Sequence, residues 1–273
     1  MLLINDNIAA LGAENNLDTT DAAMSTVVGQ LSSGLQIQTA ADNPAGYSIA
    51  QSLQAEINGY GAAESNAQTA VSVLQTAQGA MNQQEAILQQ ANTIATQAAN
   101  TTTAGDSTAA AADNAEFASL ISQLNQIASS TTYAGVNLLD GSVTSLTFQV
   151  GPTGSDAVAV SLTGTTGSTL LGAATLDVST VASAQVAMAA VQSAINTLAS
   201  DAAALGSSQN QIQALSNNVT VAQQNLTSAH ADLVDVNVAS ATSQFTSLQI
   251  LEQSGISVLA QAQQLPQLAL KLI

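Results

Sequence analysis

Cysteine and tryptophan are absent, Lys and Arg together number 1, and aromatic side chains make up 2% of the 273 residues. Without cysteine there is neither a disulfide framework nor thiol chemistry. One basic residue against 18 acidic ones gives a formal net charge of -17, and such a surface repels phosphate backbones, which excludes nucleic-acid binding. Charged residues of both signs are only 7% of the chain, far below the roughly 25% of ordinary domains, so solubility rests on Gln, Asn, Ser and Thr. The acids have almost nothing to pair with, and their repulsion grows as they ionise above about pH 4. The composition therefore suits acidic or salty surroundings, since salt screens the same repulsion. No run approaches the roughly 18 apolar residues that cross a bilayer, and Met1-Leu2-Leu3-Ile4-Asn5-Asp6 lacks the basic leader and apolar stretch of a cleaved signal. Neither a membrane anchor nor a cleaved signal peptide is expected.

What the chain does have is 46% hydrophobic residues, much of it Ala, which suits long, closely packed helices rather than a bulky core. Ala10, Leu17, Met24 and Leu31 recur every seven residues, predicting a helix over about 5–33 that ends at Ser32-Ser33-Gly34. Leu35-Gln36-Ile37-Gln38 alternates as a short strand would, and Asp42-Asn43-Pro44 opens a second helix. Leu53, Tyr60, Ala67, Leu74, Met81, Leu88 and Ala95 carry that helix to about Asn100. Residues 101–106 form a loop whose Asp106, or the following Ser107, caps a shorter helix bearing Phe117, Leu120, Leu124 and Ile127. The Gly-rich middle, 131–176, holds two strands, Leu146–Val150 and Val158–Leu162, joined through Gly151-Pro152-Thr153-Gly154. Beyond it, Val191, Leu198, Leu205, Ile212, Val219, Leu226 and Leu233 keep an unbroken seven-residue spacing, a coiled-coil helix over about 178–232. A last helix carries Phe245, Leu248, Leu251, Ile256, Leu259 and Leu265, with Pro266 near its end. The fold class expected is mainly α, with long antiparallel helices, a terminal coiled coil and a small central β-hairpin region.

Chemistry has little to work with. His230 is the sole histidine and lies in a polar stretch of helix, where no Cys or second His completes a zinc site. Lys271 sits at a helix C-terminus, which favours its charge without activating it. Asp18/Asp21 and Asp232/Asp235 each share a helical face, but acid–base hydrolysis of sugars also needs a lined cleft, and aromatic platforms are nearly absent. None of the glycines forms a phosphate-binding loop. No catalytic, cofactor or metal site is expected, and the chain is not read as an enzyme.

Several ordered motifs point elsewhere. Ile4-Asn5-Asp6-Asn7-Ile8-Ala9-Ala10-Leu11, Leu31-Ser32-Ser33-Gly34-Leu35-Gln36-Ile37, Ala41-Asp42-Asn43-Pro44-Ala45-Gly46, Gln97-Ala98-Ala99-Asn100, Tyr133-Ala134-Gly135-Val136-Asn137-Leu138-Leu139 and Ala260-Gln261-Ala262-Gln263-Gln264-Leu265-Pro266 resemble, in that order, the motifs of bacterial flagellin. The resemblance spans most of the chain and leaves no room for the large outer domains of longer members.

It implies a homopolymer. Residues 1–43 with 234–273 would form the inner coiled coil of a filament, and 44–176 with 177–233 the surrounding tube, with the hairpin near 141–165. The apolar positions expected to serve assembly are Ile8, Leu11, Leu31 and Leu35; Leu53, Leu74 and Leu88; Leu198, Leu205, Ile212, Leu226 and Leu233; and Phe245, Leu251, Leu259 and Leu265. The resemblance further implies an extracellular location reached without a cleaved signal, torque transmission for swimming, and partners in an export chaperone, a filament cap and hook–filament junction proteins. Gln36 departs from the Arg usual in the family's signature, and the family's many intersubunit salt bridges cannot form here; amide hydrogen bonds and close Ala packing are expected in their place. A hook–filament junction protein shares related terminal helices and is the main alternative; a coiled-coil adaptor explains the helices but not the motifs.

Overall fold

The computed structural model describes residues 7–100, 107–172 and 176–271, with 265–271 described by backbone alone. In chain order the elements are α1 (Ile8–Ser33), α2 (Pro44–Ala98), α3 (Ser107–Ser130), β1 (Thr132–Tyr133), β2 (Val136–Asn137), β3 (Ser145–Gln149), β4 (Ala157–Ser161), α4 (Gly167–Leu170), α5 (Val181–Val234) and α6 (Val238–Lys271). The fold is mainly helical, as the heptads require. The loop at 101–106 and the capping role of Asp106 lie outside the described residues.

Short polar side chains start the helices. Asn7 Oδ1 accepts the Ala10 N–H at 3.2 Å, Asn43 Oδ1 accepts the Gly46 N–H at 3.0 Å, and Asn237 Oδ1 accepts the Ser240 N–H at 3.1 Å. Each satisfies a donor that the first turn leaves without an intrahelical partner. Gly34 ends α1 in the left-handed region, at φ 77, and its N–H donates to Gln30 O, the usual glycine termination.

Contacts divide the chain into two units, residues 1–57 with 224–273 and residues 58–223. In the second unit α2 and α5 share one core: Ala67, Leu74, Met81 and Leu88 from α2 and Val191, Leu198, Leu205 and Ile212 from α5 are buried. The helices run antiparallel in constant register. A Cβ on Gly61 would lie 3.3 Å from Gln223 Nε2, and one on Gly206 would lie 3.4 Å from Gln78 Nε2, so both contacts advance by the same 17 residues along each helix, in opposite directions. Small residues let long amides fold across the partner helix, which is how an Ala-rich seam closes without charge.

α3 covers this pair with Phe117, Leu120 and Leu124. The fully buried Gln84 Nε2 donates to Leu124 O at 3.3 Å and Thr165 O at 3.1 Å, tying α2 to α3 and to the segment before α4. The expected β3–β4 hairpin forms with each strand one residue earlier, Ser145 pairing opposite Ser161 and Gln149 opposite Ala157, with Val158 and Val160 turned inward. A second hairpin, β1–β2, was not expected: Ala134 and Gly135 both take positive φ, 49 and 83, as a two-residue hairpin turn demands. Leu35–Gln38, expected as a short strand, makes only an isolated bridge, Leu35 to Asp235.

Four of the described carboxylates are held away from their usual range. Thr39 and Gln38 backbone N–H groups hold Asp42 below the usual carboxylate range; the Ser142 hydroxyl and N–H do so for Asp140, and those of Ser179 for Asp177. Burial pushes Asp201 up, against a hydrogen bond from the Thr163 hydroxyl. A lowered carboxylate contributes stability above its unfolded value of about 3.9 that is lost as pH falls through its folded one. A raised carboxylate does the reverse, losing its contribution as pH rises. Thermal melts from pH 2 to 8 are therefore expected to peak near pH 4 (about the unfolded value), where the general acidic repulsion is also falling. A melting temperature that climbs steadily to pH 8 would contradict this.

Candidate assembly interface

No described group of three or more His, Asp or Glu side chains is placed to hold a metal ion. A cleft of about 420 Å³ beside the β3–β4 turn has Tyr60 and Asp156 as its titratable lining residues, and Asp156 Oδ2 is already engaged by the N–H and hydroxyl of Thr153. Asp18, Asp21, Asp232 and Asp235 are all exposed, and His230 is half-buried on α5. No described helix is long and apolar enough to cross a membrane.

The feature that stands out is the pair α1 and α6 in the first unit. On α1 the residues turned inward are Ala10, Ala13, Leu17, Thr20, Met24, Val27 and Leu31; on α6 they are Ala241, Phe245, Leu248, Glu252, Gly255, Leu259 and Ala262. Both sets step by three and four residues, the spacing of a coiled-coil seam. Leu17 Cδ1 would lie 3.4 Å from a Cβ on Gly255, which sets an antiparallel register. In that register Ala13 falls opposite Leu259 and Leu31 opposite Ala241, a small side chain against a large one in each case.

The two ends of the seam are fastened by backbone and amide groups. At one end Gln36 N–H donates to Val234 O at 2.6 Å and Val236 N–H to Gly34 O at 2.9 Å. At the other, Asn7 Nδ2 donates to Ala262 O at 2.8 Å. That carbonyl stands four residues before Pro266, which has no N–H to give it, so α6 runs on through Pro266 to Lys271 with the orphaned acceptor filled from α1. Asn7 thus caps one helix and completes the other. Asn7→Ala is expected to weaken the α1–α6 pair by about 2 kcal/mol, a lost cap plus an unsatisfied carbonyl, visible as faster amide exchange in both helices. Unchanged exchange would show that the contact carries no energy.

Beside the seam the pair is apolar where coiled coils ordinarily carry charge. Leu251, Ile256 and Val258 flank it on α6, with Ile250 beyond them, and all four are more than half exposed. Ile8, at 68%, and Leu11, at 59%, are the counterparts on α1.

The sequence-derived assembly positions divide accordingly. Ile8, Leu11 and Leu251 are exposed; Leu31, Leu35, Leu53, Leu226, Leu233, Phe245 and Leu259 are half-buried. Leu74, Leu88, Leu198, Leu205 and Ile212 are buried inside the second unit, so any service to assembly runs through its rigidity, not through contact with a neighbour. The side chain of Leu265 lies outside the described residues. Val28, Ile49, Val238, Ile250, Ile256 and Val258 were missed, although all are exposed; on α1 and α6 their signal is a second apolar stripe beside the first.

Two sequence profiles match the chain. Residues 4–144 match the bacterial flagellin N-terminal helical region, and residues 188–273 match the bacterial flagellin C-terminal helical region. The chain belongs to the bacterial flagellin family. Flagellins are structural proteins, not enzymes, and those of the family are extracellular filament components. The flagellin of Halalkalibacterium halodurans is 32% identical over 273 residues, all of both chains, and that of Bacillus subtilis is 33% identical over 99% of each. A "Flagellar filament 33 kDa core protein" of Treponema phagedenis is 28% identical over the whole of both. The crystal structure of Bacillus cereus flagellin superposes with a TM-score of 0.52 at 25% identity, covering 57% of this chain and 88% of that one. End-to-end matches at nearly equal length make this a compact flagellin, without large outer domains.

Proposed function

We propose that this flagellin is the subunit of a flagellar filament, polymerising through α1 and α6 and transmitting motor torque for swimming. The observation that carries the proposal is the distribution of exposed apolar side chains. Of the twelve large hydrophobic residues exposed among the described residues, nine, Ile8, Leu11, Val28, Ile49, Val238, Ile250, Leu251, Ile256 and Val258, belong to the first unit. An uncovered apolar surface of that kind marks an association site, and identical subunits bound head-to-tail by unlike patches generate an open helix rather than a closed ring.

In this reading residues 1–43 with 234–273 line the inner layer, and 44–233 build the tube around it. A family export chaperone covers the terminal helices before export, a cap protein seats each new subunit, and junction proteins join the filament to the hook. Electron microscopy of the purified chain, mixed with short flagellar seeds under polymerising salt, tests this. Long tubes are expected; seeds that are blocked but not extended would reassign the chain as a hook–filament junction protein, and no interaction with seeds would reject the flagellar assignment.

A further inference from the structure

Along one inward stripe of α2 every seventh residue is alanine, with a single exception. Ala63, Ala70, Ala77, Ala91 and Ala98 are buried at that spacing, and the place between Ala77 and Ala91 is taken by Gln84, which is 0% exposed. A stripe of α5 runs Ala187, Ala194 and then Asp201. The stripes beside them, Ala67, Leu74, Met81, Leu88 and Ala95 on α2 and Val191, Leu198, Leu205, Ile212 and Val219 on α5, also repeat at seven residues. Sliding one helix along the other by seven residues therefore brings most alanines back onto alanine places and most large apolar residues back onto large ones. Apolar packing alone discriminates weakly against such a slip.

The two polar members discriminate strongly. Gln84 Nε2 donates to Leu124 O of α3 at 3.3 Å and to Thr165 O at 3.1 Å. Two residues before Thr165, the Thr163 hydroxyl donates to Asp201 Oδ1 at 3.3 Å. The segment that joins these contacts has no slack: a Cβ on Gly164 would lie 2.8 Å from Gly141 Cα, and the Thr165 N–H donates to Leu139 O at 2.8 Å. One pinned segment thus holds the odd residue of each alanine stripe. Moved by seven residues, Gln84 would take the place of Ala77 or Ala91, its amide buried away from both carbonyls and both carbonyls left without their donor, a heavy loss in a dry core.

We infer that Gln84 is the register key of the second unit: its buried amide selects one axial alignment of α2 against α3 and α5 from those that the alanine stripes permit. A single polar residue in an apolar helix seam acts in this way, giving up some stability to specify alignment. Copies that join in an open helix must be interchangeable, so one register per subunit is what a polymer needs; that consequence rests on the filament reading, whereas the register does not.

Distances between two nitroxide labels, measured by double electron–electron resonance on free full-length subunits, test the inference. The chain has no cysteine, so Gln90→Cys and Gln213→Cys, both at exposed positions, carry the only labels. Because Gln78 meets Gly206, Gln90 stands level with Ala194, roughly 28 Å along α5 from Gln213. The otherwise unaltered chain is expected to give one distance. Gln84→Ala, which completes the alanine stripe, and Gln84→Met, which fills the space without an amide, are each expected to add a second population displaced by about 10 Å, seven residues of helical rise. Leu74→Ala, a truncation in the neighbouring stripe that leaves the amide in place, is expected to lower the melting temperature and keep one distance. A single unshifted distance in both Gln84 variants would overturn the inference, as would a second population in Leu74→Ala. If Gln84→Met did not fold, Gln84 would be a residue of stability and not of register, which overturns it too. None of these outcomes touches the filament reading, which the seeded growth above decides separately.

Discussion

A chain shortened by residues 238–273 is expected to form no filaments, while the unit of residues 58–223 is expected to melt within a few degrees of the full-length protein. The reasoning starts from area. α6 supplies one side of every layer in the seam with α1, and five of the nine large exposed apolar side chains among the described residues of the first unit, Val238, Ile250, Leu251, Ile256 and Val258. Without it, α1 is left with its inward stripe uncovered, and a helix of that length has little stability without packing. At roughly 25 cal/mol per Å² of apolar area, losing this face removes most of the driving force for association. The core of α2, α3 and α5, by contrast, draws no residue from α6. Pelleting and electron microscopy read the first half of the result, and circular dichroism melts the second. Filaments from the shortened chain would move assembly to the second unit.

Phe117→Ala gives the opposite separation. Its ring is fully buried in the core shared by α2, α3 and α5, and deleting an aromatic side chain at such a site costs about 3–5 kcal/mol, or roughly 10 °C of melting temperature for a unit of this size. The loss falls on residues 58–223, and hydrogen exchange in α1 and α6 is expected to change little. Leu248→Ala, at a half-buried seam position, reverses the pattern, with a small effect on the melt and a large one on polymerisation. A loss under about 1 kcal/mol for Phe117→Ala would mean that the Ala-rich core collapses around the gap, which close-packed interiors resist.

The helices and the larger hairpin were legible because their signals repeat. Val191 to Leu233 holds one spacing through six seven-residue steps, and Phe148 and Val158 sit in short alternating runs on either side of a Gly-Pro turn. The β1–β2 hairpin and α4 were not, since two-residue strands and a Gly-Ser-Thr-Leu turn are too short to show a period. The α1–α6 pair was half legible. Phe245, Leu248 and Leu259 belong to its seam, but Leu251 and Ile256 flank it, and mixing the two stripes concealed Glu252. Strict steps of three and four from Phe245 would have passed through that acid. The bond from Asn7 to Ala262 spans 255 residues and has no local pattern at all, although both ends lie in motifs that carried the family resemblance. Pro266 supplied the one clue, an acceptor four residues earlier with no donor of its own.

The central claim is that copies of this chain bury the apolar flank of α6 on one another. The absence of cysteine makes this directly measurable, because Ile250→Cys introduces the only thiol. In free subunits that thiol is expected to react rapidly with a maleimide, as a residue 62% exposed should. In assembled filaments the rate falls by at least about a hundredfold, in line with a group that becomes reachable only through local opening, and dissociation by mild heating restores it. A thiol that reacts equally fast in filaments and free subunits would contradict the account, since it would place α6 outside the contacts that hold the polymer together.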